Sequence, residues 1–523
     1  MQRFIQRHEK DVIGVLNGWD RIRFRGTLRW LANTGGMRSF LWAVQVLLKD
    51  FRSYVLAVTS QIRQATQELA ARANRPLVYL ASSSINKEER AREIAAADGV
   101  RQGLICVLSC VERCWSFQVG PNRTSKRLEL RGGPTKCLHY YFYFQDAELG
   151  LLHLRLQTWF PLTVHVVLNG REWLARQMDA AGIGYRQRDN CFIDIADLPA
   201  AQRLLDLQSQ THWNQRLNRL LARVHPTHAT LFRDHPMSYY WSAEETEWAS
   251  DVMFHSPAAL AKLYPRLLRH GLSQFGSGDV MRFLGRRTPA HGGVNGHFQG
   301  EVVSDLKTRP EGIRIKHRLD HNSIKMYDKQ GSVLRVETTI NNARAMKVYR
   351  TKEGTPSQAK KRWRHLRKGV ADLHRRGQLS QAANTRYLNA LAAVNDATAL
   401  GQLAEKVCRP VHWQGRRARA LNPLSPGDAR LLQSVQRGEF AIHGFRNRDL
   451  RGLLYGDPPA DAKEHRRQSA AVTRQLRLLR AHGLIKKLPK THRYILTKQG
   501  TATITALIAA SQADTDKLSQ LAA

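Results

Sequence analysis

A chain of 523 residues is too long for a single hydrophobic core, and its 42% hydrophobic content is enough to build more than one. Its 82 Lys and Arg against 43 Asp and Glu leave a net charge of +39, a field that attracts polyanions, nucleic acid first among them. That apolar content argues against wholesale disorder, and no apolar run approaches the ~20 residues that cross a bilayer.

The N-terminal MQRFIQRHEKDV lacks the apolar core of a signal peptide, so a cytoplasmic protein with no membrane partner is expected. Nothing in the pattern indicates an oligomeric state. The expected architecture is α+β and multidomain. Residues 1–100 form a basic, helical region, with LRWLANTGGMRSFLWAVQVLLKDF and SQIRQATQELAARANR at helical spacing. Within it Arg21, Arg23, Arg25 and Arg29 alternate with Phe24, Leu28 and Trp30. That patch can grip phosphates and stack on bases, or be a solvated face.

From 101 to 200 the period switches to two. Three strand-like stretches, a helix at REWLARQMDAAGI and a strand at NCFIDIADL give the order of a ferredoxin- or RRM-like unit. Tyr140, Tyr141, Tyr143 and Trp159 are then either core or a platform for bases. Cys106, Cys110 and Cys114 share one face and could hold a metal, but buried free thiols are expected, and with no CxxC pair a zinc ribbon is not.

Residues 201–350 read as a central α+β domain. In TEWASDVMF a strand would place Glu247 and Asp251 on one face, as a magnesium or manganese site requires; a helix start capped by Ser242 is the alternative. A glycine-rich loop at 287–300 carries His291 and His297. The stretch 313–342, IRIKHRLDHNSIKMYDKQGSVLRVETTINN, reads as a hairpin turning at Gln330-Gly331-Ser332. Alternation puts Lys325, Tyr327 and Lys329 on one face, Ile324, Met326 and Asp328 on the other, and pairs Arg335 with Glu337. Residues 351–420 are a basic helical region in which Arg364, Arg367 and Lys368 would line the side opposite Trp363 and Leu366, a seat for a duplex backbone. Residues 421–523 show three helical stretches, then strand, basic turn, strand and helix.

The phrase LRAHGLIKKL…HRYILTKQG in this last segment resembles the winged-helix domain of MarR- and ArsR-type bacterial regulators. The resemblance implies a recognition helix at 467–482 with Gln468, Ser469, Thr473, Arg474 and Arg477 as contacts. Lys490, His492 and Arg493 would form the wing tip. The phrase NSIKMYDKQGSVLRVETTI is similar to a pair of strands in rolling-circle replication initiators of plasmids and filamentous phages. That likeness implies Asp251, Asp328 and Glu337 as ligands of Mg²⁺ or Mn²⁺, Tyr327 as nucleophile, and Lys329 and Arg335 as cations on the phosphate. It implies no organic cofactor. The histidine pair of that family is absent, since His153 and His165 sit in separate strands. The whole chain also resembles bacterial proteins of the mobile-element type, a likeness that supplies no function. Two classes of function follow: a metal-dependent DNA-nicking endonuclease, or a non-catalytic binder, whether a DNA-binding regulator or the RNA-binding protein of a ribonucleoprotein. DNA is favoured and RNA is the alternative, both offering the same phosphates.

Overall fold

The computed structural model describes residues 1–286, 302–309, 312–352, 360–392, 400–437, 440, 444–489 and 491–512. The glycine-rich loop with His291 and His297, and Lys490 of the expected wing tip, lie outside the described residues. The chain is mixed α+β and divides into two compact units. The described residues of Met1–Leu268, Phe283–Gly285 and Val303–Leu391 form the first, and those of Arg269–Arg282, Arg286–Val302 and Ala392–Ala523 the second.

The first unit is organised on one eleven-stranded sheet. Its strands are β1 (Val12–Leu28), β2 (Leu77–Leu80), β3 (Gly103–Pro121), β4 (Leu128–Asp146), β5 (Gly150–Gln157), β6 (Val164–Asn169), β9 (Tyr239–Phe254), β10 (Val302–Arg309), β11 (Gly312–Leu319), β12 (Asn322–Lys329) and β13 (Val333–Ile340). A separate hairpin of β7 (Tyr185–Arg188) and β8 (Cys191–Ile195) stands beside it. The sheet order is β10-β11-β12-β13-β9-β1-β6-β5-β4-β3-β2.

That order repeats one plan twice. A long strand is followed by helices and then by four strands in a row, the last of which returns to pair with the first: β6 with β1, and β13 with β9. The two long strands pair antiparallel at the centre, where Trp19 faces Trp248 and their rings meet edge to face at 4.8 Å. The helix Leu373–Leu391 covers one side of this seam. Gly377 allows the approach, because a Cβ there would fall 2.8 Å from the Trp248 ring. Trp248 Nε1 donates to Gln381 (2.7 Å), and Asn384 Nδ2 donates to the Val336 carbonyl (3.0 Å).

Three expectations change. The DRIRFRGTLR patch is the second half of β1, not helix: Ile22, Phe24 and Leu28 are buried while Arg21, Arg23 and Arg25 alternate with them to the other face. The helices expected near it do form, at Thr34–Ala43 and Phe51–Arg72. The strands of 101–200 are present, but β3 to β6 run as a meander that continues into β1 rather than closing as a ferredoxin-like unit. Their tyrosines are core: Tyr140, Tyr141 and Tyr143 are all buried.

The basic stripe also changes. Arg362–His365 is a strand paired with Lys347–Arg350, and the helix begins only at Leu373. A helix over KKRWRHLRK would stack like charges three and four residues apart, whereas the strand sets Trp363 across from Tyr349, ring centroids 5.7 Å apart. Arg364, Arg367 and Lys368 therefore share no helical face. Arg367 instead binds Asp372, donating from its backbone N–H (3.2 Å), Nε (3.0 Å) and Nη2 (2.9 Å), and Arg375 adds a contact of 2.6 Å. Asp372 is fully buried. Burial pushes its carboxyl up, but the Arg367 bonds outweigh this and hold it down at about 2.

A carboxyl lowered on folding stabilises the protein above its ordinary value and loses that contribution as pH falls towards the folded value. Asp372→Asn is expected to cost about 1.5–3 kcal/mol at neutral pH. The gap from wild type should close as pH drops from about 4 to about 2, read as converging urea midpoints.

Candidate functional site

The face of the seam opposite the helix Leu373–Leu391 is polar. Alternation places Glu247 and Asp251 of β9, Lys325, Tyr327 and Lys329 of β12, and Arg335 and Glu337 of β13 on it. β1 contributes through a bulge between Trp19 and Arg21, where two residues oppose one on β9. Trp19 stays under the helix while Asp20 and Arg21 both turn to the polar side, into the same cleft.

At the base of this face lies a buried quartet. Arg335 donates from Nε to Asp251 Oδ1 (2.6 Å), from Nη2 to Asp251 Oδ2 (2.8 Å), and from Nη1 to Asp20 Oδ1 (2.9 Å). Its Nη2 also reaches the Asn190 carbonyl at 2.8 Å, tying down the hairpin β7–β8. Arg171, just past β6, lies 2.8 Å from Asp251 Oδ2 and 3.8 Å from Asp20 Oδ1. Both arginines are fully buried. Burial raises both aspartates. For Asp20 that effect prevails; for Asp251 the two guanidiniums outweigh it and hold the carboxyl below its usual range.

Next to the quartet the carboxylates of Asp20, Glu247 and Glu337, from three adjacent strands, converge so that one oxygen of each lies within 4.8 Å of the others. Lys325 Nζ donates to Glu337 Oε1 (2.6 Å) and Glu247 Oε1 (2.9 Å). Burial, then the charge of Glu337, pushes Glu247 up to about 7. Glu247 is also the accessible member: it lines a cleft of about 410 Å³ with Asp20, Arg21 and Tyr143, and a second of about 310 Å³ with Lys316, Arg318 and Lys325.

The residues expected from the hairpin fare unequally. Glu337 belongs to the carboxylate group. Asp251 lies on the same face but is bound by two arginines, and Arg335 serves the quartet. Asp328 alternates to the opposite face, where its charge is felt by Tyr264, and does not approach Glu337. Tyr327 is buried, and its Oη donates to Glu337 Oε2 at 2.5 Å. Burial, reinforced by Glu337, raises its hydroxyl far above the ordinary value, so it is held protonated and closed off, the reverse of what a nucleophile requires. Lys329 is buried with its Nζ 5.8 Å from the Tyr327 ring centre.

Sequence reasoning assigned Glu247 to the right face but missed Asp20, whose neighbouring carboxylates Glu247 and Glu337 lie more than two hundred residues away and whose orientation depends on the bulge. Of the basic patch, Arg21 stands exposed at the cleft. Arg23 and Arg25 engage Glu244 (3.0 and 3.7 Å), with His165 on the same carboxylate (3.2 Å), and Arg29 lies 3.5 Å over the Tyr240 ring.

The second unit carries the helices Pro426–Val435, Asn447–Tyr455 and Ala462–Ala481, then the antiparallel strands Ile485–Lys487 and Tyr494–Leu496. A bridge between Phe445 and Tyr494 joins the loop before the second helix to the hairpin. Arg474 and Arg477 line a groove of about 880 Å³ together with Trp413, Arg416, Arg419 and Arg480. Ser469 and Thr473 face the preceding helix instead, both bound to Asn447. Gln468 reaches back to Glu464 (3.4 Å), His492 is exposed, and Arg493 donates to the Gly444 carbonyl (3.4 Å). No helix among the described residues is long and apolar enough to cross a membrane. The chain matches no known family model, no curated protein and no solved structure.

Proposed function

We propose that the chain binds nucleic acid and cleaves its phosphodiester backbone by metal-dependent hydrolysis at Asp20, Glu247 and Glu337. The convergence of those three carboxylates, two of which, Asp20 and Glu247, line one cleft, carries this reading. Oxygen ligands from several carboxylates suit Mg²⁺ or Mn²⁺, and Glu247 is raised first by burial and then by the charge of Glu337, a crowding that a divalent cation would relieve. A bound ion would supply Lewis-acid stabilisation of charge on a phosphate oxygen. Lys325 would add a cation beside it, and Arg21 would steer the backbone into the cleft. These ligands replace the set of Asp251, Asp328 and Glu337, and water replaces Tyr327 as the attacking group, so no phosphotyrosine forms.

The second unit supports the nucleic-acid part. Three helices followed by a two-stranded hairpin, with a bridge to a third short segment, are the order of a winged helix. On this reading the helix Ala462–Ala481 would be the recognition helix, and Arg474 and Arg477 would meet the DNA backbone. A non-catalytic binder is the second reading, favoured by one observation: the Lys325 ammonium already bridges Glu247 and Glu337 and neutralises part of their charge.

The test incubates the full chain with labelled single-stranded DNA, duplex DNA and structured RNA, with and without Mn²⁺. Cleavage is expected only with metal, falling by about 10²–10³-fold in Glu247→Gln; the wild-type chain forms no covalent adduct, and folded Tyr327→Phe still cleaves, slowed by no more than the ~10–100-fold that loss of an outer hydrogen bond to Glu337 costs. Salt-sensitive binding with no cleavage in any metal would leave the binder reading standing instead.

A further inference from the structure

Away from the seam, β3 and β4 bring a second set of donors together. Cys114 of β3 and Cys137 and His139 of β4 present two sulfurs and one ring nitrogen, all within 4.8 Å of one another. The register explains this: Cys114 pairs with Thr135, so Cys137 is its diagonal neighbour, and His139 is two residues further along the same face. The sulfurs lie 3.1 Å apart, and both cysteines are free thiols. Cys137 and His139 are buried, whereas Cys114 is partly exposed.

The histidine gives the pair its meaning. His139 Nδ1 lies 3.1 Å from the carbonyl oxygen of Cys137. A carbonyl only accepts, so Nδ1 carries the proton and Nε2 is left with its lone pair. That Nε2 is buried and has no hydrogen-bond partner, although His139 is only 1% exposed. An imidazole whose distal N–H is fixed by a backbone carbonyl while the other nitrogen is free is the arrangement that metal-bound histidines adopt. An orphaned buried acceptor is otherwise costly.

We infer that Cys114, Cys137 and His139 form a binding site for a thiolate-preferring divalent ion, Zn²⁺ first. Two sulfurs and an imidazole match the donor preference of zinc and not that of magnesium or calcium. Two thiolates at ~2.3 Å from one tetrahedral ion lie ~3.7 Å apart, and rotation of the partly exposed Cys114 supplies that opening. Thr135 Oγ1, 3.9 Å from Cys114 Sγ, is placed to donate to the thiolate. Three protein ligands leave a fourth position for water or a further ligand on the open side of Cys114. Binding is balanced by release of the two thiol protons, with no change of oxidation state. The inference is independent of the carboxylate site.

The full chain, reduced and dialysed against Zn²⁺, is expected to retain one ion per molecule by elemental analysis. Loaded with Co²⁺, it should show thiolate-to-metal charge-transfer absorption. Cys114→Ser and His139→Gln should each lower affinity by more than the ~10–100-fold that loss of an outer hydrogen bond costs, while Cys408→Ser, at an exposed cysteine, changes nothing. His139→Cys keeps a soft donor at the same position: it should bind Co²⁺ with a shifted spectrum, which tests the site even where His139→Gln does not fold. Failure of the wild-type chain to retain Zn²⁺, or retention undiminished in Cys114→Ser, overturns the assignment. So does recovery of a Cys114–Cys137 disulfide from protein that takes up no metal.

Discussion

Arg335→Met is expected to lower the stability of the first unit by about 3–5 kcal/mol, the largest single effect among side chains on the polar face. The guanidinium makes three contacts to Asp251 and Asp20 and a fourth to the Asn190 carbonyl, all out of solvent. Its removal leaves two buried carboxylates with Arg171 as their one guanidinium and an Asn190 Nδ2 hydrogen bond on Asp20. Arg335→Lys should recover little, because one ammonium cannot replace a planar fork that spans both acids. The loss should also depend on pH. Burial already pushes the Asp20 carboxyl up, and without Arg335 it rises further, so protonation relieves the variant. Urea midpoints of wild type and variant should therefore converge as pH is lowered from neutral towards the ordinary carboxylate range. A variant within ~1 kcal/mol of wild type at pH 7 would show that the quartet is not what holds β13, β9 and β1 together.

Gly170→Ala is expected to be nearly as damaging, at about 3 kcal/mol or more, although it adds one carbon. A Cβ at this position would lie 1.9 Å from the Trp19 carbonyl oxygen and 2.6 Å from its carbon. Neither side can yield. Gly170 opens the helix Gly170–Ala180 directly after Asn169, whose Oδ1 accepts from the N–H of Arg171 (2.8 Å) and Glu172 (3.1 Å). Trp19 is fixed in the seam against Trp248. Displacing the helix start also moves Arg171 off Asp251, so the two effects compound. Thermal melts beside Gly120→Ala, where an added methyl meets nothing within 4 Å, check this: the control should melt with wild type.

The parts legible in the sequence are those set by local alternation. The turn at Gln330-Gly331 forms with both residues at positive φ (57° and 76°), and the expected face of Lys325, Tyr327 and Lys329 is the face observed. The strand at Glu247 and Asp251 also forms as its period-two pattern suggests. What stayed hidden depends on pairings remote in the chain. Asp20 joins Glu337 only because β1 and β13 flank β9, and the bulge that turns it inward leaves no mark on a hydrophobicity pattern. Only the likeness to the initiator strands makes Asp328 a candidate ligand; the alternation that already sets it across from Tyr327 keeps it on the other face. The arginines of β1 read as part of a helical region because the helices Thr34–Ala43 and Phe51–Arg72 follow them. Cys114 and Cys137 stood 23 residues apart, a separation with no motif value until β3 and β4 are laid side by side.

The central pairing of β1 with β9 has a consequence for synthesis. Trp19 leaves the ribosome more than two hundred residues before its partner Trp248, and at ~5–20 residues per second that delay is ~10–50 s. Through that interval β6 can pair with β1 on one side, but the opposite edge stays open, with apolar Leu16, Trp19 and Ile22 ready to join any available strand. Long-range pairing of this kind is slow even in the complete chain. Yield of the soluble protein should thus depend on holdase chaperones and on translation rate up to residue 254 more than on the equilibrium stability of the finished sheet.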